Sequence, residues 1–234
     1  MSIVAIITAR GGSKRIPGKN IKIFNGKPML AYAIESAIKS NVFDEVMVST
    51  DSLEIAEVAK KYGANVPFMR SDKTASDFAT TYDALEEVIC EYGKMGREYD
   101  DVCCIYPCVP FLTSENISKA YSEFTNGNYN ATQSVCRYSV PIEWAMQIVD
   151  GVLVPNDEKL LTIRSQDLTP KYYDAGMFYF CKTDVLLTEK TLVPSNTHGF
   201  VVDASMCQDI DTEEDWLEAE IKYEVMEMKN EKLC

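Results

Sequence analysis

The 234-residue sequence contains one histidine, His198. A paired-histidine metal site is therefore excluded, and a Ser-His-Asp triad has a single residue on which to be built. Basic residues are also scarce: 23 Lys and Arg stand against 36 Asp and Glu, a net charge of −13. General binding to nucleic acid or to an anionic membrane needs basic surface to displace counterions, so neither is expected as a partner. No apolar run approaches the ~20 residues of a membrane-spanning helix. Residues 1–8 are apolar only briefly before Arg10 and lack the order of a secretory signal. Eight cysteines (90, 103, 104, 108, 136, 181, 207, 234) are spread thinly with no Cys-x-x-Cys pair. They read as reduced thiols packed as small apolar residues in a cytoplasmic chain. Cys104 and Cys108 lack the two further soft ligands that a zinc site requires. Any metal used must be held by carboxylates.

What is present is material for one substantial core, 46% apolar with 25% charged residues. Apolar runs alternate with helix-period segments, the pattern of a parallel sheet flanked by helices. Strands are predicted over 3–7, 45–50, 65–69, 102–106, 131–136, 143–149, 177–181 and 200–203. Helices are predicted from Gly26-Lys27-Pro28 through Ile38, from Asp51-Ser52 to about Tyr62, over 81–94, over 113–125 and after Asp211. At the last, Thr212-x-x-Asp215 is a capping-box variant, and Trp216, Ala219, Tyr223 and Met226 share one face. The expectation is a single α/β domain, 1–234, with a mostly parallel sheet and its ligands at the carboxyl ends of the strands. Residues 137–169 leave this rhythm, and Asp150-Gly151 marks a hairpin turn. A plain surface hairpin fits that stretch, and so does an arm that covers a site or pairs with another subunit.

The stretch most informative for chemistry is Ala9-Arg10-Gly11-Gly12-Ser13-Lys14-Arg15-Ile16-Pro17-Gly18-Lys19-Asn20, directly after the first strand. Its glycines let backbone N–H groups approach an anion, and Arg10, Lys14, Arg15 and Lys19 concentrate positive charge on an acidic chain. A polyphosphate is the ligand that needs both features; a solvated basic loop is the alternative. The Walker pattern Gly-x-x-x-x-Gly-Lys-Ser/Thr and the dinucleotide pattern Gly-x-Gly-x-x-Gly are both absent. Near the other end, Asp209-Ile210-Asp211 places two carboxylates on one side of an extended chain. Two hard oxygen ligands suit Mg²⁺, which completes its shell with water and phosphate. Asp211 is otherwise a helix-end acid stabilised by the dipole.

Residues 9–20, with Tyr106-Pro107-Cys108-Val109-Pro110-Phe111, Tyr173-Asp174-Ala175-Gly176-x-Phe178-Tyr179-Phe180 and Asp209-Ile210-Asp211-Thr212-x-x-Asp215-Trp216, resemble the CMP-sialic acid synthetase (acylneuraminate cytidylyltransferase) family. Within it they look most like the pseudaminic acid branch. Motif order and spacing agree over about residues 3–224. The resemblance implies a Rossmann-like, GT-A-like nucleotidyltransferase fold, with 137–169 as an extended dimerisation arm of a homodimer. That arm would bring Tyr138, Glu143 or Arg164 near the sugar site of the other subunit. It further implies that Ala9, Arg10, Gly11, Gly12, Ser13, Lys14 and Lys19 meet the CTP phosphates and that Asn20 lies by the nucleoside. Arg70 would contact cytosine and Ala75-Ser76-Asp77 would close over it, while Arg15 is either a further contact or a surface residue.

The implied reaction is attack by the anomeric hydroxyl of an acidic nine-carbon sugar on the α-phosphate of CTP, with pyrophosphate leaving. Arg10, Lys14, Lys19 and Asp211 form the catalytic set, with Asp209 and Asp211 holding Mg²⁺. The base is open among Asp211, another carboxylate and metal-bound hydroxide. Tyr106, Pro107, Cys108, Tyr173 and Asp174 are assigned to the sugar. In the sialic acid branch, glutamine, threonine and arginine stand where this chain has Tyr106, Cys108 and Leu112. A hydroxyl-rich tail would leave polar groups unpaired there, so a 9-deoxy diamino sugar such as pseudaminic acid is favoured. Legionaminic acid, sialic acid and a 3-deoxy octulosonic acid are the alternative substrates. A nucleotide-binding regulator on the same fold is the non-enzyme alternative; it would not need Asp209 and Asp211.

Overall fold

A computed structural model of the chain describes residues 1–231. The strands are β1 (Ile3–Thr8), β2 (Ile23–Phe24), β3 (Lys27–Pro28), β4 (Glu45–Ser49), β5 (Asp101–Ile105), β6 (Ala131–Arg137), β7 (Met146–Val149), β8 (Val152–Pro155), β9 (Tyr172–Lys182) and β10 (Thr197–Val202). The α-helices are α1 (Met29–Lys39), α2 (Leu53–Lys61), α3 (Asp72–Ala75), α4 (Thr81–Lys94), α5 (Ser114–Asn126), α6 (Thr183–Glu189) and α7 (Glu213–Glu231). The main sheet runs in the order β10-β6-β9-β5-β1-β4. β1 is parallel to β4 and β5, and β10 is parallel to β6, while β9 enters antiparallel to both of its neighbours.

The side-chain period of two along β1 builds the layers. Ile3, Ala5 and Ile7 face a core shared with α1, α5 and α7, whereas Val4 and Ile6 face a second core under Leu85, Val88 and Tyr92 of α4. Both faces of β1 are covered, which is why it reads as an unbroken apolar run. Among the cysteines, 103, 104, 136, 181 and 207 are buried in these layers; Cys234 lies outside the described residues. No helix among the described residues is long and apolar enough to cross a membrane.

Several expected elements differ for local reasons. Residues 65–69 form no strand: Asn65 makes one parallel bridge to Met47, and Pro67, without an N–H, cannot extend the ladder. The expected strand at 143–149 divides, because Ile142–Trp144 takes a 3₁₀ turn behind Pro141 and only β7 is extended. Pro28 precedes α1 rather than occupying its first turn. β9 is longer than expected, and α6 follows it unanticipated. Asp209 to Asp211 belong to no strand, although buried Ile210 lies between exposed Asp209 and half-buried Asp211 as alternation requires.

α7 positions the carboxyl-terminal acids. Thr212 and Asp215 exchange capping bonds, with Thr212 N donating to Asp215 Oδ2 at 2.7 Å and Asp215 N to Thr212 Oγ1 at 3.2 Å. Trp216 and Tyr223 both pack edge-on against Phe24, at 5.4 and 5.5 Å. Phe24 lies just beyond the glycine-rich loop, so this aromatic cluster docks the start of α7 beside it. The arm is a hairpin in which Asp150 and Gly151 both have positive φ, 52° and 81°, the conformation of a tight two-residue turn.

Candidate active site

The glycine-rich loop leaves the carboxyl end of β1 and is met by carboxylates from three distant segments. Gly11 N donates to Asp51 Oδ1 at 2.8 Å. A Cβ on Gly11 would lie 3.2 Å from that of Ser52, so glycine is what allows this approach. Arg10 donates to Asp77 Oδ1 at 2.9 Å and to the Ser76 carbonyl at 3.3 Å, while Lys14 pairs with Asp77 Oδ2. The Lys14 ammonium and the Arg10 guanidinium hold the Asp77 carboxyl below the usual carboxylate range. Arg15 pairs with Asp211 Oδ1 at 2.7 Å, and Lys19 lies 3.6 Å from the same oxygen and donates to the Ile210 carbonyl at 2.6 Å. The loop cations Arg10, Lys14, Arg15 and Lys19 are thus each partnered by a side-chain acid.

Asn20 is buried and fixes the loop from within. Its Nδ2 donates to the Arg10 carbonyl at 2.9 Å, and its Oδ1 accepts from Cys108 Sγ at 3.3 Å. Burial pushes the Cys108 thiol up to about 12, with Lys19 opposing and Asp209 and Asp211 adding to the rise. Asp211 lies beside Lys19, and Asp209 stands two residues before it. Two carboxylates flanking a buried isoleucine, next to a cationic loop, are a donor set that fits Mg²⁺ with phosphate and water as further ligands. Among the described residues no group of three or more His, Cys, Asp or Glu is placed to bind a metal unaided.

Beside Arg10 lies a cavity of about 260 Å³ bounded by Thr8, Arg70, Ser76, Thr80, Tyr106 and Pro107. Arg70 is buried, donating through Nε to Ser49 Oγ at 3.0 Å and through Nη2 to the Ser49 carbonyl at 2.9 Å. Burial lowers its pKa, and its remaining donors are left for the cavity. α3 forms one wall and is tied to α4 through Glu87, which accepts from Ser71 N at 2.7 Å and from the hydroxyls of Ser71 and Thr74. Ala75, Ser76 and Asp77 are brought to this rim, with Asp77 reaching the loop cations.

A second cavity of about 350 Å³ adjoins the first, sharing Thr80, Thr81 and Tyr106. Asp174 sits in it, accepting from Tyr179 OH at 2.6 Å and from Gly176 N at 2.8 Å. The Tyr106 ring leans on Tyr179 at 5.3 Å. Its far wall is Lys190, Thr191, Leu192 and Val193, which the sequence reading missed. No motif marks that turn; Lys190 at φ 55° ends α6 and directs the chain over the cavity. Of the residues assigned to a sugar, Tyr106, Pro107 and Asp174 gather at these two cavities. Cys108 lies instead against Asn20, and the Tyr173 ring packs at a tilt against Tyr138, 4.9 Å away, toward the arm. Leu112 packs in the core and lines neither cavity.

The family model described as cytidylyltransferase matches residues 4–228. The chain is 40% identical over 226 residues to a pseudaminic acid cytidylyltransferase of Campylobacter jejuni, covering 96% of this chain and 97% of the relative. It is 34% identical over 236 residues to a CMP-N,N'-diacetyllegionaminic acid synthase of Legionella pneumophila, covering all of both. In solved structures it superposes on a CMP:2-keto-3-deoxy-manno-octonic acid synthetase complexed with CTP, at a TM-score of 0.71 and 18% identity, over 98% of this chain and all of the other. At that identity the likeness concerns the fold alone.

Proposed function

This chain belongs to the cytidylyltransferase family, and from that membership we propose that it transfers CMP from CTP to the anomeric hydroxyl of pseudaminic acid, releasing pyrophosphate. The observation that carries the reading is the meeting of Arg15 and Lys19 with Asp211, which brings the cationic loop against the acid just before α7. The base occupies the cavity under Arg70, and the phosphates lie along Arg10, Ser13, Lys14 and Lys19, taking the place of the Asp77 carboxylate. Asp209 and Asp211 would hold Mg²⁺, which when bound offsets charge on the polyphosphate. Lys19, half withdrawn from solvent and fixed by the Ile210 carbonyl, stays beside Asp211 as charge moves toward the leaving pyrophosphate. Asn20 and Cys108 keep the loop in position.

The sugar fits the second cavity, where Tyr106, Leu192 and Val193 present apolar surface and Asp174 with Tyr179 offers hydrogen bonds. A deoxy sugar with a terminal methyl leaves fewer polar groups unpaired there than a glycerol tail does. Pyrophosphate release measured with CTP, Mg²⁺ and a panel of acidic sugars tests this. Turnover is expected to favour pseudaminic acid over N-acetylneuraminic acid by at least about tenfold. Equal or faster turnover of N-acetylneuraminic acid would overturn the assignment, and a preference for legionaminic acid would move it to that substrate.

The arm supports a homodimer. Ile148, Val152 and Leu153 project from the hairpin at 74%, 62% and 64% exposure, an apolar surface that a second copy would cover. Joint replacement Ile148→Asp and Leu153→Asp is expected to convert a dimer to a monomer in light scattering. A wild-type monomer at micromolar concentration would remove this part of the proposal.

A further inference from the structure

Asp77 differs from the other acids that meet the loop. Asp51 accepts from a backbone N–H, and Asp211 belongs to the couple before α7. Among the described residues Asp77 has two ion-pair partners, Arg10 and Lys14, and its carboxylate bridges them, Oδ1 accepting from Arg10 at 2.9 Å and Oδ2 from Lys14. All three side chains are exposed. Exposed pairs add little to folding, so stability does not account for the bridge. What it does is occupy two phosphate-loop cations with a single negative charge.

The turn that carries Asp77 is short and anchored at both ends. On one side α3 is tied to Glu87, which accepts from Ser71 N and the Thr74 hydroxyl; on the other, α4 starts on the Thr80–Asp83 capping box. Between these anchors the turn closes on one backbone bond, Ala79 N to the Ser76 carbonyl at 3.2 Å. None of its side chains from Ser76 to Ala79 is buried, and Phe78 is 97% exposed. Asp77 can therefore leave the loop without unpacking the core. Lys14 and Arg10 hold its carboxyl below the usual carboxylate range, so it stays charged at neutral pH.

We propose that Asp77 is an internal competitor for the phosphate loop, a carboxylate latch that a polyphosphate must displace and that keeps weaker anions off Arg10 and Lys14. This rests on the reading of the loop as the CTP phosphate site. A triphosphate brings about four negative charges to cations that the latch neutralises with one, so it wins the exchange. A free monoanion offers these cations no more charge than Asp77 does and must also give up its freedom in solution. The latch lowers the apparent affinity of any phosphate ligand by the fraction of time it stands open; closed about three-quarters of the time, it weakens binding about fourfold.

The test is calorimetric titration of the full chain, without sugar, using CTP, tripolyphosphate and cytidine in turn. Asp77→Ala should bind CTP and tripolyphosphate at least about threefold more tightly than wild type. Asp77→Asn, which keeps the shape and loses the charge, should follow it. Cytidine carries no phosphate and should bind all three proteins alike. Asp72→Asn removes an equal charge from the exposed start of α3, where Asp72 is in no ion pair among the described residues, and should bind CTP as wild type does. Equal or weaker CTP binding in either Asp77 variant would overturn the latch alone, as would a matching gain in Asp72→Asn or for cytidine. Absence of CTP binding to wild type would overturn the nucleotide reading and the latch together.

Discussion

Arg10→Ala is expected to lower kcat/KM for CTP-dependent pyrophosphate release by about 10²–10³-fold, the loss typical of one transition-state charge contact. Arg10 borders the 260 Å³ cavity and also reaches Asp77 on its rim. Its pair with Asp77 leaves both side chains partly exposed, at 41% and 44%. Exposed, solvent-screened pairs contribute little to folding, so the melting temperature should move little. The loss should thus appear in kinetics rather than stability. Arg10→Lys should recover part of it, since an ammonium keeps the charge and loses the planar fork. Turnover of the alanine variant within threefold of wild type would count against a phosphate contact at this residue.

Asp211→Asn should be more damaging, by about 10³-fold in kcat, and should also weaken activation by Mg²⁺. The substitution removes one negative charge where Arg15 and Lys19 converge. It leaves the cap of α7 in place, because Asp211 contributes its backbone N–H to Asp215 Oδ2 at 3.0 Å and not its carboxylate. The fold is therefore preserved while the site loses a carboxylate and gains unopposed positive charge. Titrating Mg²⁺ and Mn²⁺ against pyrophosphate release in the two proteins separates the roles. An unaltered metal dependence in Asp211→Asn would assign Asp211 to loop packing alone and leave Asp209 as the remaining acid of the couple.

Local chemistry was legible wherever it is contiguous. The loop at 9–20 carries its glycines and cations within one stretch, and Thr212 with Asp215 forms its cap within one helical turn. The helix expected over 81–94 coincides with α4, since an apolar stripe and the Thr80–Asp83 capping box act over adjacent turns. The strand expected at 65–69 failed because apolar character there says nothing of Pro67's missing N–H.

Sequence alone determined the α/β class, the cationic loop and the acid couple, because each rests on periodicity or on residues only a few positions apart. Tertiary structure alone decided the reversed direction of β9, the pairing of Arg10 and Lys14 with Asp77 and of Arg15 with Asp211, the wall from Lys190 to Val193, and the side to which Cys108 and Tyr173 turn. Those outcomes depend on how distant segments pack. Burial and charge pairing across the fold act between residues whose separation along the chain carries no trace of their separation in space.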